Sequence, residues 1–299
     1  MNEKYVGGPV RVTKRLLEDW PLPEPDGDGK ASRGDVWVLG GARETPGAVM
    51  LAGLAALRVG AGRLTLAVAE SVAAIVAAAV AEAGVVGLVE SRDGDVLGDN
   101  VDRLAGRLKG CDALLVGPGL GDPVQTAELV RRLPEVVDPT TNVVLDAYAL
   151  GVLNNLPEEV YERWAGRLVL TPNVAELQLL LDRSADQLTR PASLIGAVRQ
   201  AAQRYQAVVT CHNVIAAPNG DSWHCAPNCV GLGTSGSGDV LAGVALGLLG
   251  RGATPAQATC WATYLHLSAG HRLTKSVGNL GFLAHELLPE LPRVLNGMG

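Results

Sequence analysis

Short apolar runs recur along the chain, each closed by glycine or a polar residue and most followed by a segment rich in Ala and Leu at helical spacing. Val36-Trp37-Val38-Leu39 ends in Gly40-Gly41, and Gly47 to Val59 follows with a helical pattern. Leu64-Thr65-Leu66-Ala67-Val68 precedes a helix of Ala and Val, Ala113-Leu114-Leu115-Val116 ends in Gly117-Pro118-Gly119-Leu120-Gly121, and Val143-Val144-Leu145 ends at Asp146. Later strands are predicted at Leu168-Val169-Leu170, before Thr171-Pro172-Asn173, and at Ala207-Val208-Val209-Thr210. Short apolar strands alternating with helices predict an α/β fold, with a mostly parallel central sheet and helices on both faces. Ligands of such sheets bind beyond the C-terminal ends of the strands, where these glycines and polar residues gather.

The run Val72 to Val89 is interrupted by Glu82 and several glycines and reads as buried elements, not a membrane span. Thr13 to Trp20 forms a short amphipathic piece before the proline-rich Pro21-Leu22-Pro23-Glu24-Pro25. Residues 1 to 34 therefore read as an N-terminal lead-in and 35 to 299 as one domain. The start, Met1-Asn2-Glu3-Lys4, carries no targeting pattern, so a cytoplasmic location is expected.

Composition narrows the picture. With 37 glycines and a single Phe, the core must be built mainly from Ala, Val and Leu, which suits helices packed closely on a sheet. A formal charge of −6 without a long basic run argues against a nucleic-acid surface and for a small-molecule partner. The five cysteines form an odd set without a repeated Cys-x-x-Cys, so no disulfide framework is expected. His224, Cys225 and Cys229 offer soft ligands but no evident fourth, and read as incidental.

The chemistry concentrates in Gly233-Thr234-Ser235-Gly236-Ser237-Gly238-Asp239, followed at once by Val240-Leu241-Ala242-Gly243. Glycines let backbone N–H groups turn toward one point, and the helix behind adds the positive end of its dipole, a setting for a phosphoryl group. Asp239 at that position is placed to take a proton from a substrate hydroxyl. The same segment also reads as a Gly/Ser turn with Asp239 as an ordinary cap. Neither a P-loop nor a convincing Rossmann fingerprint is present.

Pro46-Gly47-Ala48 with Leu51 to Gly62, Gly117 to Gly121, Leu145-Asp146-Ala147-Tyr148-Ala149-Leu150, Leu170-Thr171-Pro172-Asn173-Val174-Ala175-Glu176, and Gly233 to Gly243 occur in one order. In that order they resemble the ADP/ATP-dependent NAD(P)H-hydrate dehydratases, repair enzymes with a ribokinase-like fold. The similarity runs from about Lys30 to Gly281-Phe282-Leu283-Ala284 and implies a stand-alone dehydratase domain. It implies that ADP or ATP, with Mg2+, phosphorylates the ring hydroxyl of hydrated NADH or NADPH before phosphate is eliminated. Asp239 would be the base. Gly236, Ser237 and Gly238 would hold the nucleotide's phosphoryl group, while Ala48, Gly119, Asn173 and Asp239 would line the substrate. Small residues at Ala48 and Gly119 suit a close approach of backbone to a dinucleotide. A homo-oligomer is expected by the same resemblance, with Ala-rich helices available to pack across a two-fold axis.

Several positions depart from the family's pattern. Tyr148 replaces the second acid of Asp-Ala-Asp-Ala-Leu, and Asn173 the His of Thr-Pro-His. Cys211-His212 replaces a phosphate-holding Lys-Gly in a loop that is shortened before Val214, so nucleotide contacts at Cys211 and His212 are expected to be weakened or altered. His285 and Glu286 read as structural variation. Asn173-x-x-Glu176 is also similar to vitamin and sugar kinases of the same fold, in which this spacing helps to organise magnesium, with Glu176 as the candidate ligand. A small-molecule kinase and a catalytically silent nucleotide-binding homologue therefore stand beside the dehydratase. His266, on an apolar helix, reads as a packed, hydrogen-bonded histidine.

Overall fold

The computed structural model describes residues 8–183 and 191–298. Residues 1–4, read above for a targeting signal, lie outside them. The strands are β1 (Val10–Arg11), β2 (Asp35–Leu39), β3 (Arg63–Ala69), β4 (Gly84–Leu88), β5 (Ala113–Val116), β6 (Asn142–Leu145), β7 (Leu168–Leu170), β8 (Val208–Cys211), β9 (Val214–Ala216) and β10 (Ser222–His224). They form one sheet in the order β1-β10-β9-β8-β7-β6-β5-β2-β3-β4. From β8 to β4 every pairing is parallel, and only β9 runs antiparallel to its neighbours β8 and β10. The central strands are short and mostly apolar. All four residues of β5 are buried, and since alternate side chains face opposite sides, the sheet is covered on both faces.

The helices in chain order are α1 (Lys14–Glu18), α2 (Pro46–Arg58), α3 (Glu70–Ala79), α4 (Val101–Leu104), α5 (Pro123–Arg132), α6 (Tyr148–Leu153), α7 (Glu158–Glu162), α8 (Val174–Leu180), α9 (Pro191–Arg204), α10 (Ser237–Gly250), α11 (Pro255–Ser276) and α12 (Ala284–Asn296). The small residues have a definite use. Ala52, Ala55 and Ala56 of α2 are fully buried against α10, and Gly243 sits so close to the Ala52 carbonyl that a Cβ there would collide with it. This close crossing takes up the Ala face of α2 inside the chain, which removes that helix from those offered above for a two-fold interface.

The Val72–Val89 region is less buried than its composition suggests. On α3 only Val72 and Val76 are buried, and Ile75 faces solvent, because β4 is an edge strand paired to β3 alone. The lead-in is held down by polar and aromatic contacts. β1 extends the sheet beside β10, the Trp20 and Trp223 rings lie 6.2 Å apart, and Trp261 Nε1 and Gln257 Nε2 on α11 donate to the carbonyls of Trp20 and Pro21 at 3.0 and 2.8 Å. Parallel strands β2, β5, β6, β7 and β8 thus bring Gly40, Gly117, Asp146, Thr171 and Cys211 to one edge of the sheet.

Candidate active site

The turn into α10 leaves backbone donors free. Gly236 precedes the helix at φ +86°, where a Cβ would meet Leu51 Cδ1 of α2 at 2.5 Å, so the left-handed turn and the neighbouring helix both select glycine. Ser237 N–H donates to the Thr234 carbonyl and Val240 N–H to that of Gly236. Among the described residues, the N–H groups of that first turn without a protein acceptor are those of Gly238 and Asp239, and the space beside Gly238 is open. Two free amides at the positive end of a 14-residue helix make a candidate anion site.

Asp239 is half-buried at this turn, and loss of solvation, with Glu176 nearby, pushes its carboxyl up to about 6. Asp146, buried at the end of β6, is pushed up to about 7 by desolvation. Thr171 Oγ1 donates to its Oδ1 at 2.7 Å and opposes the rise, while Asp239 and Glu176 add to it. Glu176 is itself raised by burial, against a hydrogen bond from the Asn173 backbone. Three carboxyls on three elements therefore act on one another. Sequence reasoning did not single out Asp146, although an acid closing an apolar central strand was its signal. The residue after it, Ala147, has φ 49° and ψ −124°, a backbone region costly for a side chain, and turns the chain into α6 at the site's edge. Tyr148, the departure from an acid, follows as an aromatic side chain 47% exposed.

Ala48 and Gly119 lie on two interlocked loops. Ala42 N–H and Thr45 Oγ1 both donate to the Gly119 carbonyl, at 2.7 and 2.8 Å, and Gly41 N–H donates to that of Pro118 at 2.9 Å. Gly119 has φ +69°, and a Cβ there would strike the Thr45 carbonyl. Its smallness thus serves the loop contact, whereas the sequence suggested room for a substrate. Ala48 is the third residue of α2, one turn before Leu51, whose side chain packs beside Gly236.

The Asn173-x-x-Glu176 spacing has a local explanation. Asn173 Oδ1 accepts from Glu176 N–H at 2.9 Å, and Glu176 Oε2 accepts from Asn173 N–H at 2.8 Å, closing a capping box at the start of α8. One oxygen of Glu176 is thereby committed, and among the described residues no group of three or more His, Cys, Asp or Glu is placed to hold a metal ion. Glu286 has a similar local task, accepting from Leu283 N–H at the start of α12.

The Cys211–His212 turn also differs from expectation. β8 and β9 form a hairpin whose connection is His212 and Asn213, with Cys211 paired to Val214. Cys211 is 1% exposed and burial pushes its thiol up to about 12, so the placement of its side chain among nucleotide contacts is corrected: the surface of the turn belongs to His212, at φ +55°. Ser237, assigned to the phosphate loop, turns its hydroxyl inward to His266 Nε2 at 2.9 Å, both residues being buried. His266 is packed and hydrogen-bonded as its apolar helix suggested.

A parallel sheet with a glycine-started helix presenting an acid and free amides beside the strand ends defines a ribokinase-like α/β protein. The chain is similar in this to a ribokinase-like superfamily protein from Enterococcus faecalis V583, with a TM-score of 0.79 at 22% identity over 100% of this chain and 99% of that one. The family profile for NAD(P)H-hydrate dehydratase matches residues 36–293, and the chain belongs to that family. It is 40% identical to the ADP-dependent (S)-NAD(P)H-hydrate dehydratase of Xanthomonas campestris over 287 residues, 95% of this chain and 96% of that protein. It also resembles the Bacillus subtilis ADP/ATP-dependent NAD(P)H-hydrate dehydratase co-crystallized with ATP and Mg2+, with a TM-score of 0.80 and 26% identity over 98% and 99% of the two chains.

Proposed function

We propose that this chain is an ADP- or ATP-dependent (S)-NAD(P)H-hydrate dehydratase, a carbon–oxygen lyase that repairs hydrated NADH and NADPH. The observation that carries the reading is Asp239 on the first turn of α10 beside the free amides of Gly238 and Asp239, in a chain that matches the family nearly end to end. Asp239 takes the proton of the substrate's ring hydroxyl as that oxygen attacks the terminal phosphoryl group of the nucleotide. The two amides hold the oxygens on which negative charge develops. The C–O bond then breaks, phosphate leaves, and loss of a ring proton restores the double bond of the reduced nicotinamide.

The donor set fits Mg2+ carried by the nucleotide. Once ionised, the carboxyls of Asp146, Glu176 and Asp239 would repel bare phosphates, and a hydrated magnesium carried by the nucleotide would need few protein ligands to offset that charge. When bound, the ion supplies charge neutralisation to the phosphates. Ala48, Gly119 and Asn173 are assigned to the hydrated-nicotinamide side, and Gly236, Ser237, Gly238 and the surface of His212 to the nucleotide side. The kinase reading loses its main support, since the Asn173–Glu176 spacing is spent on the capping box.

The partners are small molecules, and we assign the protein to the cytoplasm as an assembly of like subunits. No helix among the described residues is long and apolar enough to cross a membrane, and exposed Ile75 and Val124 on α3 and α5 are available to a subunit contact. Light scattering on the eluting protein measures the assembly. Incubation with hydrated NADH, with and without ADP, ATP and Mg2+, tests the activity. Return of reduced-nicotinamide absorbance only with nucleotide is the expected result, and its absence with a nucleotide-binding protein would remove the dehydratase reading.

A further inference from the structure

α11 packs against both α10 and β8, and from two positions three residues apart it touches Ser237, next to Gly236, and Thr210, one residue before Cys211 at the end of β8. Thr263 Oγ1 donates to the Thr259 carbonyl at 2.9 Å, so the hydroxyl of Thr210, one residue before Cys211, donates to Thr263 across a 3.0 Å buried contact. One turn on, His266 Nε2 is hydrogen-bonded to Ser237 Oγ, one residue after Gly236. Burial pushes His266 down to about 4, which keeps the ring neutral. In either tautomer the Ser237 oxygen is held against α11.

We propose that His266 is a positioning residue, acting through Ser237 to fix the Gly236–Asp239 turn so that the Gly238 and Asp239 amides and the Asp239 carboxyl keep one orientation toward the transferred phosphoryl group. The proposal rests on the dehydratase reading for its reaction, but its contact is a property of the nucleotide side alone. Gly236 has no side chain to cap the helix, so beyond its backbone hydrogen bonds the turn has no side-chain anchor of its own. The buried Ser237–His266 bond supplies a distant one, and α11 ties the same turn to the end of β8 through Thr263. A histidine serving only to fill the core would affect stability and leave binding by the folded protein unchanged.

Calorimetry with Mg·ADP on the full-length protein, beside kinetics with hydrated NADH, separates these cases. His266→Phe, which keeps the ring's bulk and removes its nitrogen, is expected to weaken Mg·ADP and lower kcat, each by about tenfold, with little change in KM for hydrated NADH. His266→Gln, which keeps a polar group within reach of Ser237, should recover most of both. Ser237→Ala should reproduce the loss, and the double variant should be no worse than either single one. Folded His266→Phe with parental Mg·ADP affinity and kcat overturns the proposal, as does full additivity in the double variant. If His266→Phe does not fold, Ser237→Ala reads the same contact, and parental affinity in it is equally decisive. A parent that binds Mg·ADP but leaves hydrated NADH untouched removes the dehydratase reading while the calorimetric comparison still tests the anchor.

Discussion

The turn before α10 and the turn after β8 both hold a residue in the left-handed region, Gly236 at φ +86° and His212 at φ +55°, yet they have become opposite kinds of surface. At Gly236 there is no room for a side chain, and the turn that results exposes two free amides and a raised carboxyl. At His212 the chain makes a tight hairpin and hides the neighbouring thiol. One turn offers a charge-holding backbone and the other closes on itself. The contrast places free helix-start amides and a carboxyl together at one turn, while the thiol at the other is buried.

Asp239→Asn attacks the stronger half of that contrast and carries the largest expected effect. It preserves size and removes the base, so kcat should fall by about two to four decades with the fold intact. Turnover within a few-fold of the parent would take the catalytic role away from Asp239. Gly236→Ala comes next. Holding a side chain at that φ costs about 1–2 kcal/mol, and displacement of the free amides should lower kcat by about 10- to 100-fold. A thermal melt and an initial-rate assay read the two parts separately. A variant with the parent's melting point and rate would mean that the left-handed turn is not required.

Acid should act on the turn at Gly236 through its carboxyl, Asp239, whereas the ionisable groups of the other turn are His212 and Cys211. Asp239 must be ionised to act as a base, so kcat/KM is expected to fall as pH drops through about 6. Glu176→Gln retains an oxygen for the capping box but removes the charge that helps to raise Asp239, so the acid limb should move to lower pH. A rate profile in which the limb stays in place would separate Glu176 from Asp239. Asp146 and Asp239 are both harder to ionise in the folded chain than in the unfolded one. Their protonated forms therefore favour folding, in full below the ordinary carboxylate range, and that stability fades as pH rises through about 6 and about 7. Asp146→Asn should flatten this decline in melting temperature between pH 5 and 8.

The fold was legible where burial on both faces makes a strand apolar throughout, as in Val36–Leu39, Ala113–Val116 and Leu168–Leu170. β1 and β10 were not legible, because their strand character comes from pairing with each other and with β9, and their own residues are few and mixed. The place of Asp239 at a helix start was legible because glycine, helix start and acid sit within one short segment. The raised carboxyl of Asp146 was not, since its burial and the charges of Asp239 and Glu176 that act on it depend on how distant elements pack. Asn173–Glu176 was ambiguous for a physical reason: a spacing of three residues suits a capping box as well as a pair of metal-organising groups. The burial of Cys211 followed from its pairing to Val214, which the apolar run before it does not disclose.

The smallest effects should come from the weaker turn. Cys211→Lys puts back the cation that the resemblance calls for, and a single partly solvated lysine–phosphate contact is worth at most about tenfold in Mg·ADP affinity. Because the Cys211 side chain is buried and Glu176 acts on its thiol, part of that attraction is expected to be spent on Glu176, so the gain should fall below this ceiling. His212→Gly isolates the backbone share. A non-glycine residue at φ +55° is strained, whereas glycine relieves the strain and loses more freedom on folding, so the net gain should be no more than about 1 kcal/mol, a few degrees of melting temperature at most. Mg·ADP affinity should not change with it. If the glycine variant instead binds nucleotide severalfold more tightly, the His212 side chain was obstructing a phosphate site, and the hairpin would belong to the anion site on equal terms with the turn at Gly236.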